Sequence, residues 1–400
     1  MNAFYELSMT DHASPKSLPR AVQRPVFLTA LSAALILFGL SVQVGAKTAS
    51  LFLLGIGLGF SLYHAAFGFT SAYRRAFQEK DISGISAQFI MLALAMLLFA
   101  PVLANGSFLG NPVTGAVAPI GISMIFGAMI FGIGMQLGGG CGSGTLFTAG
   151  GGNIRMMIVL LFFCIGGFRG SLDLSWWQEM PRLRTISLAE ELGWPLAVSM
   201  QLSFLVICYH LLRKLGSSNK RPLWWGGKFH WQMLIKGPWP LLLSAILLAL
   251  FNWLTLLIAG HPWSITWAFA LWAAKIAEMV GWDSATSAFW ASGFPARALA
   301  NSVFQDTTSI MNFGIMAGAG LAASLAGSFR PTVRIHVRSL FAAALGGLML
   351  GYGARLAYGC NIGAFFSGVA STSLHGWAWI IAALVGNFIG LRLRPLFRQS

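Results

Sequence analysis

The chain has little charge. Only 9% of its 400 residues are Asp, Glu, Lys or Arg, against about 25% in soluble domains. So few charges exclude an ordinary soluble globule. Acidic side chains are the scarcer sign, 11 against 26 Lys and Arg. Cysteine is scarce as well. Its four copies form no C-x-x-C pair, which argues against a disulfide framework and a zinc ribbon. The chain also lacks H-E-x-x-H, a P-loop, a haem-attachment motif and a Rossmann glycine pattern followed by an acidic residue. An ATP-driven pump or a redox enzyme needs such a motif, here or on a partner subunit. No metal, no cofactor and no catalytic residue are therefore expected.

What is present is apolar. Hydrophobic residues make up 56% of the chain, with 47 glycines and 15 tryptophans. Runs of about 20 apolar residues recur, the length that crosses a hydrocarbon core of about 30 Å. They fall at 25–45, 49–72, 84–104, 119–138, 154–172, 194–213, 238–259, 310–328, 339–358 and 375–391. The fold class expected is all-α: a polytopic membrane protein of about ten transmembrane helices, with the lipid bilayer as its surroundings. Between 260 and 309 the pattern breaks. Trp263 to Val280 holds Lys275 and Glu278, and Ser284 to Val303 is interrupted by Gly293 and Pro295. This stretch reads as re-entrant half-helices or as two full spans.

The net charge of +15 does not signal nucleic acid, because the cations lie in short loops between apolar runs, as the positive-inside rule requires. Arg74, Arg75 and Lys80 follow the second run. Arg213, Lys214, Lys220, Arg221, Lys228 and Lys236 fill a later loop, and Arg330, Arg334 and Arg338 another. These loops are assigned to the cytoplasm. Residues 1–24, which carry Lys16 and Arg20, read as a cytoplasmic tail and not as a cleaved signal peptide. Residues 25–48 form an additional first helix, 49–213 a first repeat, 214–237 a basic cytoplasmic loop and 238–400 a second repeat.

The repeats are defined by a phrase that occurs twice. Gly132 to Gly144 reads GIGMQLGGGCGSG and Gly351 to Gly363 reads GYGARLAYGCNIG. Cys141 aligns with Cys360 without a gap, along with Leu137/Leu356 and four glycine pairs. The loop charges put the helix before Cys141 and the helix before Cys360 on opposite starting sides. An inverted repeat is expected, the plan of many secondary transporters. Glycines at 138–140, 142 and 144 allow the helix to break and a ligand to approach bare amides. Irregular backbone survives in a membrane only where it is buried or lines a cavity. A half-helix after the break, 145–149, would aim its positive end at an anion. The thiol adds a soft contact. Gly140, Cys141, Gly142, Gly359, Cys360 and Asn361 are the expected binding residues, and a small sulfur-containing anion the expected partner. The competing reading makes these glycines packing surfaces and the thiols small apolar groups; it is preferred for Cys164 and Cys208.

Arg355 stands inside an apolar span, where an Arg costs about 2.5–3.5 kcal/mol on insertion scales. It is read as a fixed positive charge for the anion, against snorkelling or pairing with Glu278 or Asp283. Tyr63 and His64 are read as packed, and Lys275 with Glu278 as a neutralising pair.

The phrases GGGCGSGT (138–145), YGCNIG (358–363) and FGFTSAYRR (67–75) resemble the YeeE/YedE family of bacterial inner-membrane sulfur-compound transporters, the thiosulfate-transporter group. The resemblance covers roughly residues 49–395. It implies an hourglass of helices with loops dipping to the middle, and thiosulfate passed between thiols that correspond to Cys141 and Cys360. The family's thiosulfate importers carry a third cysteine in the phrase that here reads Phe67-Gly68-Phe69-Thr70, where this chain has Gly68. The function expected is import of thiosulfate or a related sulfur or selenium species past a central constriction. The alternative is a relay: a cysteine persulfide hands sulfur to a cytoplasmic sulfurtransferase-like carrier. A membrane anchor for an oxidoreductase is the third class.

Overall fold

The computed structural model describes residues 21–226, 229–332 and 334–398. The tail before residue 21 and Lys228 lie outside these. Among the described residues, ten helical stretches are long and apolar enough to cross a membrane, one for each apolar run above. The protein is a multi-pass membrane protein. The helices are α1 (Arg24–Val44), α2 (Ala46–His64), α3 (Phe69–Glu79), α4 (Ser83–Asn105), α5 (Ile122–Gly138), α6 (Gly142–Gly150), α7 (Ile154–Leu172), α8 (Trp194–Lys214), α9 (Leu241–Ala259), α10 (Thr266–Met279), α11 (Gly293–Ala300), α12 (Thr307–Leu325), α13 (Val337–Leu356), α14 (361–370, opening with a π-helical turn) and α15 (Leu374–Leu393). Two small two-stranded sheets join loop residues 107–112 and pair 119–121 with 182–185.

Local chemistry sets the ends. Asn153 caps α7 by accepting from the Met156 amide, and Asp306 caps α12 by accepting from Ser309. Pro25 and Pro195 occupy first-turn positions of α1 and α8, where their missing N–H costs nothing. Core packing follows pairs of helices: α13 lies along α5 and α7, α15 along α5, and α12 along α2. Between α5 and α13 the backbones touch. A methyl on Gly127 would sit 2.8 Å from the Gly353 carbonyl, and one on Gly353 would sit 2.5 Å from the Gly127 carbonyl. Small residues permit such close approach, which drives helix association in lipid. Exposed apolar side chains such as Leu35, Ile36, Leu161, Phe204 and Ile207 clothe the outer helices, where hydrocarbon is their solvent.

Two details differ from the sequence reading, and a third falls on one of its two alternatives. The second run does not continue to residue 72; it breaks after His64, and a separate helix starts at Phe69. The half-helix after Cys141 is longer than 145–149, running Gly142–Gly150. Between 260 and 306 no helix reaches span length, since α10 has 14 residues and α11 has 8. At 1.5 Å per residue, α10 rises about 21 Å. Half-helices are what this stretch contains.

The basic loop after α8 is anchored by one carboxylate. Asp81, 2% exposed, accepts from the Ser83 hydroxyl at 2.6 Å and from the amides of Ser83 and Lys220. Arg75 and Arg221 stand 3.7 and 3.6 Å away. Burial raises the Asp81 pKa, but the hydrogen bonds from Ser83 and Lys220 and the charge of Arg75 outweigh it and hold the pKa below the usual carboxylate value.

Candidate functional site

The glycines of the repeated phrase divide into two groups. Gly132 and Gly351 lie deep in helices against neighbouring backbone: a methyl on Gly132 would strike the Ala383 carbonyl of α15, and one on Gly351 the Phe163 carbonyl of α7. These are packing glycines. Those next to the thiols do something else. Gly139 ends α5 at φ +88°, and Gly359 precedes Cys360 at φ +145°, conformations that glycine alone adopts without strain.

Each break places a cysteine at a helix start. Cys141 is the N-cap of α6, and its sulfur accepts from the Gly144 amide at 3.5 Å. Its Sγ lies 3.4 Å from the Ser143 hydroxyl. Cys360 is the N-cap of α14, and its sulfur accepts from the Ile362 amide at 3.4 Å. Both thiols are buried, at 1% and 0% exposure. The two caps meet. A methyl built on Gly142 would lie 3.0 Å from Cys360 Sγ and 3.4 Å from the Ile265 side chain. Cys141 and Cys360 are within electrostatic reach of one another. Gly140 and Gly359 pack against the first turns of α6 and α14, facing the amides of Thr145 and Ala364.

From this shared point the two helices end among different neighbours. At the end of α6, Gly151 and Gly152 press on Tyr63 and Phe329, beside the basic loops. At the end of α14, Ser371 accepts from the Ala116 amide, and the Thr372 carbonyl accepts from Leu188. Ala116 lies in a loop, residues 105–119, without a charged side chain, and Leu188 in one, residues 173–193, that carries Asp173, Glu179, Glu190 and Glu191 against Arg182 and Arg184.

Two segments that the sequence reading did not place at the thiols, a loop and the helix α3, also arrive there. Ser264 and Ile265, just before α10, touch Gly363 and Gly142. The Ser367 hydroxyl and Asn312 amide bind the Trp263 and Ile265 carbonyls at 3.0 Å each. From α3, Tyr73 accepts from Asn361 at 3.4 Å, while Gln136 donates to the Thr70 carbonyl and to Asn387. A faint cue existed: Phe67-Gly68-Phe69-Thr70 stood out in the sequence, but nothing there pointed to Tyr73.

Arg355 makes its contacts elsewhere. Its guanidinium stands 4.4 Å from the Phe289 ring and 5.7 Å from Trp267, and its stem packs on Gly170 of α7. Rings, and not Glu278 or Asp283, are its partners. Lys275 does not neutralise Glu278 either; its ammonium donates to the carbonyls of Leu299 and Asn301 at 2.6 Å each. His64 packs against Trp239 and Phe60 as expected. Two buried arginines were missed altogether. Arg155 binds the Leu137 and Gly138 carbonyls and Arg394 the Gln136 carbonyl. Together they cap the end of α5 beneath Cys141. Among the described residues, no group of His, Cys, Asp and Glu is arranged to hold a metal.

Helices that break midway through a multi-pass protein are a feature of many secondary transporters. The comparisons with known proteins agree: residues 64–389 match the family described as sulphur transport, and the chain belongs to that family. It is 28% identical over 347 residues to the thiosulfate transporter TsuA of Spirochaeta thermophila, covering 84% of this chain and 96% of that one. It is 24% identical over 352 residues to the thiosulfate transporter TsuA of Escherichia coli, covering 83% and 90%. The probable transporter YedE of Escherichia coli shares 31% identity over 180 residues, 44% of this chain and 42% of its own.

Proposed function

We propose that the protein carries a small sulfur-containing anion, thiosulfate or a close relative, across the inner membrane into the cell, past Cys141 and Cys360 at a central waist. The observation that carries this reading is the meeting of two capped breaks, with Gly142 set against the Cys360 sulfur. Buried amides at helix starts favour negative charge, and thiols offer soft, weakly donating contacts. An anion bearing both oxygens and a terminal sulfur matches that pairing. The names of the two relatives covering most of the chain point to the same cargo. Support for an inverted repeat comes from the opposed surroundings in which α6 and α14 end, and from the images that Gly132 and Gly351 make against α15 and α7. Arg355, ringed by aromatics, is assigned to drawing the anion in and not to the thiol contact itself. No covalent step is needed. A persulfide relay would want a cation to favour the thiolate, and among the described residues no Lys, Arg or His hydrogen-bonds either sulfur.

Uptake of radiolabelled thiosulfate into cells lacking their own sulfate and thiosulfate import tests the proposal. Wild type should accumulate label and restore growth on thiosulfate. Cys141→Ala and Cys360→Ala should each abolish uptake at normal protein levels. Undiminished uptake in both variants would reject the role of the thiols.

A further inference from the structure

The thiols account for the sulfur end of such a cargo, and the helix-start amides offer its oxygens partial positive charge but no side-chain donor. We propose that Tyr73, positioned by Asn361, is the hydrogen-bond donor that recognises the oxyanion end at the waist; this rests on the transport reading above.

Tyr73 lies one turn into α3 and is 3% exposed. Its hydroxyl accepts from Asn361 Nδ2 at 3.4 Å. No acceptor for its own proton exists among the described residues, so the O–H remains to be donated. The hydroxyl is within electrostatic reach of Cys141, and Asn361 directly follows Cys360 in the chain. The phenol is thus hydrogen-bonded to the residue beside Cys360, with Cys141 near enough to act on its charge.

The surroundings call for a ligand independently. Buried polar atoms without partners are rare in native proteins and are completed by water or a bound molecule. Here Asn361 Oδ1, Thr70 Oγ1, Trp263 Nε1 and Asn312 Oδ1 are all buried and unpartnered. Each belongs to a residue of α3 or of the loop 263–265, or to one hydrogen-bonded to them. Thr70 sits three residues before Tyr73, on the same side of α3. Meanwhile α6 and α10, of 9 and 14 residues, begin at Gly142 and Thr266, beside the thiols, and α3, of 11, begins one turn before Tyr73; the starts of helices carry partial positive charge. A phenol O–H is a hard donor suited to oxygen, whereas a thiol is a soft partner suited to sulfur. The waist thus presents two chemically distinct sides to one anion.

The test uses the full-length chain in proteoliposomes with radiolabelled thiosulfate. Tyr73→Phe should raise the KM roughly tenfold, the loss of one hydrogen bond to a charged group, with maximal rate changed little. Unlabelled sulfate, which offers oxygens and no soft sulfur, should compete with wild type and lose that competition in the variant. Hydrosulfide, which offers sulfur alone, should compete equally with both. Asn361→Ser should shift the KM in the same direction by less, and it carries the comparison if Tyr73→Phe fails to fold. An unchanged KM, or equal weakening of both competitors, overturns the proposal. Wild type that takes up no thiosulfate overturns the transport reading, and this inference with it.

Discussion

Gly142→Ala probes the waist most directly. The added methyl would lie 3.0 Å from Cys360 Sγ, 3.5 Å from Cys360 Cβ and 3.4 Å from Ile265 Cγ2. Ordinary carbon contacts fall at about 3.5–4.0 Å, so the Cys360 side chain must yield by about half an ångström. Overpacking of this kind costs about 1–3 kcal/mol. Replacing glycine in the first turn of a helix returns up to about 1 kcal/mol. The net loss of stability is then at most about 3 kcal/mol, below the stability of a typical folded protein. Transport should suffer more, because the methyl occupies the space between the caps; uptake of thiosulfate should fall at least tenfold. Gly144→Ala is the control. Its methyl would stand 3.6 Å from Cys141 Sγ, an ordinary contact, and it should leave stability unchanged or slightly higher. Adding Cys360→Ala to Gly142→Ala removes the obstructing sulfur. Thermal unfolding in detergent should then show a favourable coupling of about 1–2 kcal/mol, while uptake stays lost. Full uptake by a stably folded Gly142→Ala variant would refute the reasoning, since it would mean the cargo never passes between the two caps.

Three further outcomes are expected. Arg155→Gln, which removes charged donors from the Leu137 and Gly138 carbonyls, should lower thermal stability by about 1.5–3 kcal/mol for each bond lost; differential scanning fluorimetry of the purified protein, set beside Arg155→Lys, reads this. Asp81→Asn should destabilise at neutral pH, because the folded state holds this carboxylate below its ordinary pKa. The sign follows from linkage: the contribution is complete above the unfolded value, near 3.8, and fades as pH falls toward the lower folded value. Unfolding curves of wild type and variant should therefore converge at acid pH; a constant gap would show that the carboxylate's charge does not matter. Cys164→Ala and Cys208→Ala, which remove sulfurs that cap no helix, should transport as wild type in the same uptake assay.

Much of the fold was legible because lipid simplifies the code. All ten spans could be located by apolar length, since backbone in hydrocarbon must bond within its own helix. What the pattern missed was the stops inside or beside a span. Residues 65–68 separate α2 from α3 although the apolar run continues past them. Hydrophobicity reports whether a segment prefers lipid, and a short buried break prefers it just as a helix does. The segment 260–306 was ambiguous for the converse reason. Its half-helices are apolar enough to be buried, yet hold Lys275, whose ammonium is satisfied by two carbonyls that sequence spacing cannot reveal.

The candidate site shows where one residue type serves two ends. Glycine recurs through both copies of the phrase, and sequence alone weighs each copy alike. Packing distinguishes them: Gly132 and Gly351 admit a neighbouring helix, whereas Gly139 and Gly359 turn the chain at positive φ so that a cysteine can begin the next helix. The duplication was the stronger signal because two breaks can meet only if both are built. Arg355 illustrates the opposite weakness. A cation in an apolar run announces a cost and not a location, and here Phe289 and Trp267 meet that cost beside α7. Tyr73, by contrast, announced nothing. It stood inside the phrase FGFTSAYRR at the end of an apolar run, and only the break at 65–68 and the course of α3 give its hydroxyl a neighbour in Asn361. A residue that recognises cargo by one donor costs the sequence a single oxygen, which no periodicity can register. The chemistry of such a waist is therefore best sought where breaks converge and polar atoms are left without partners.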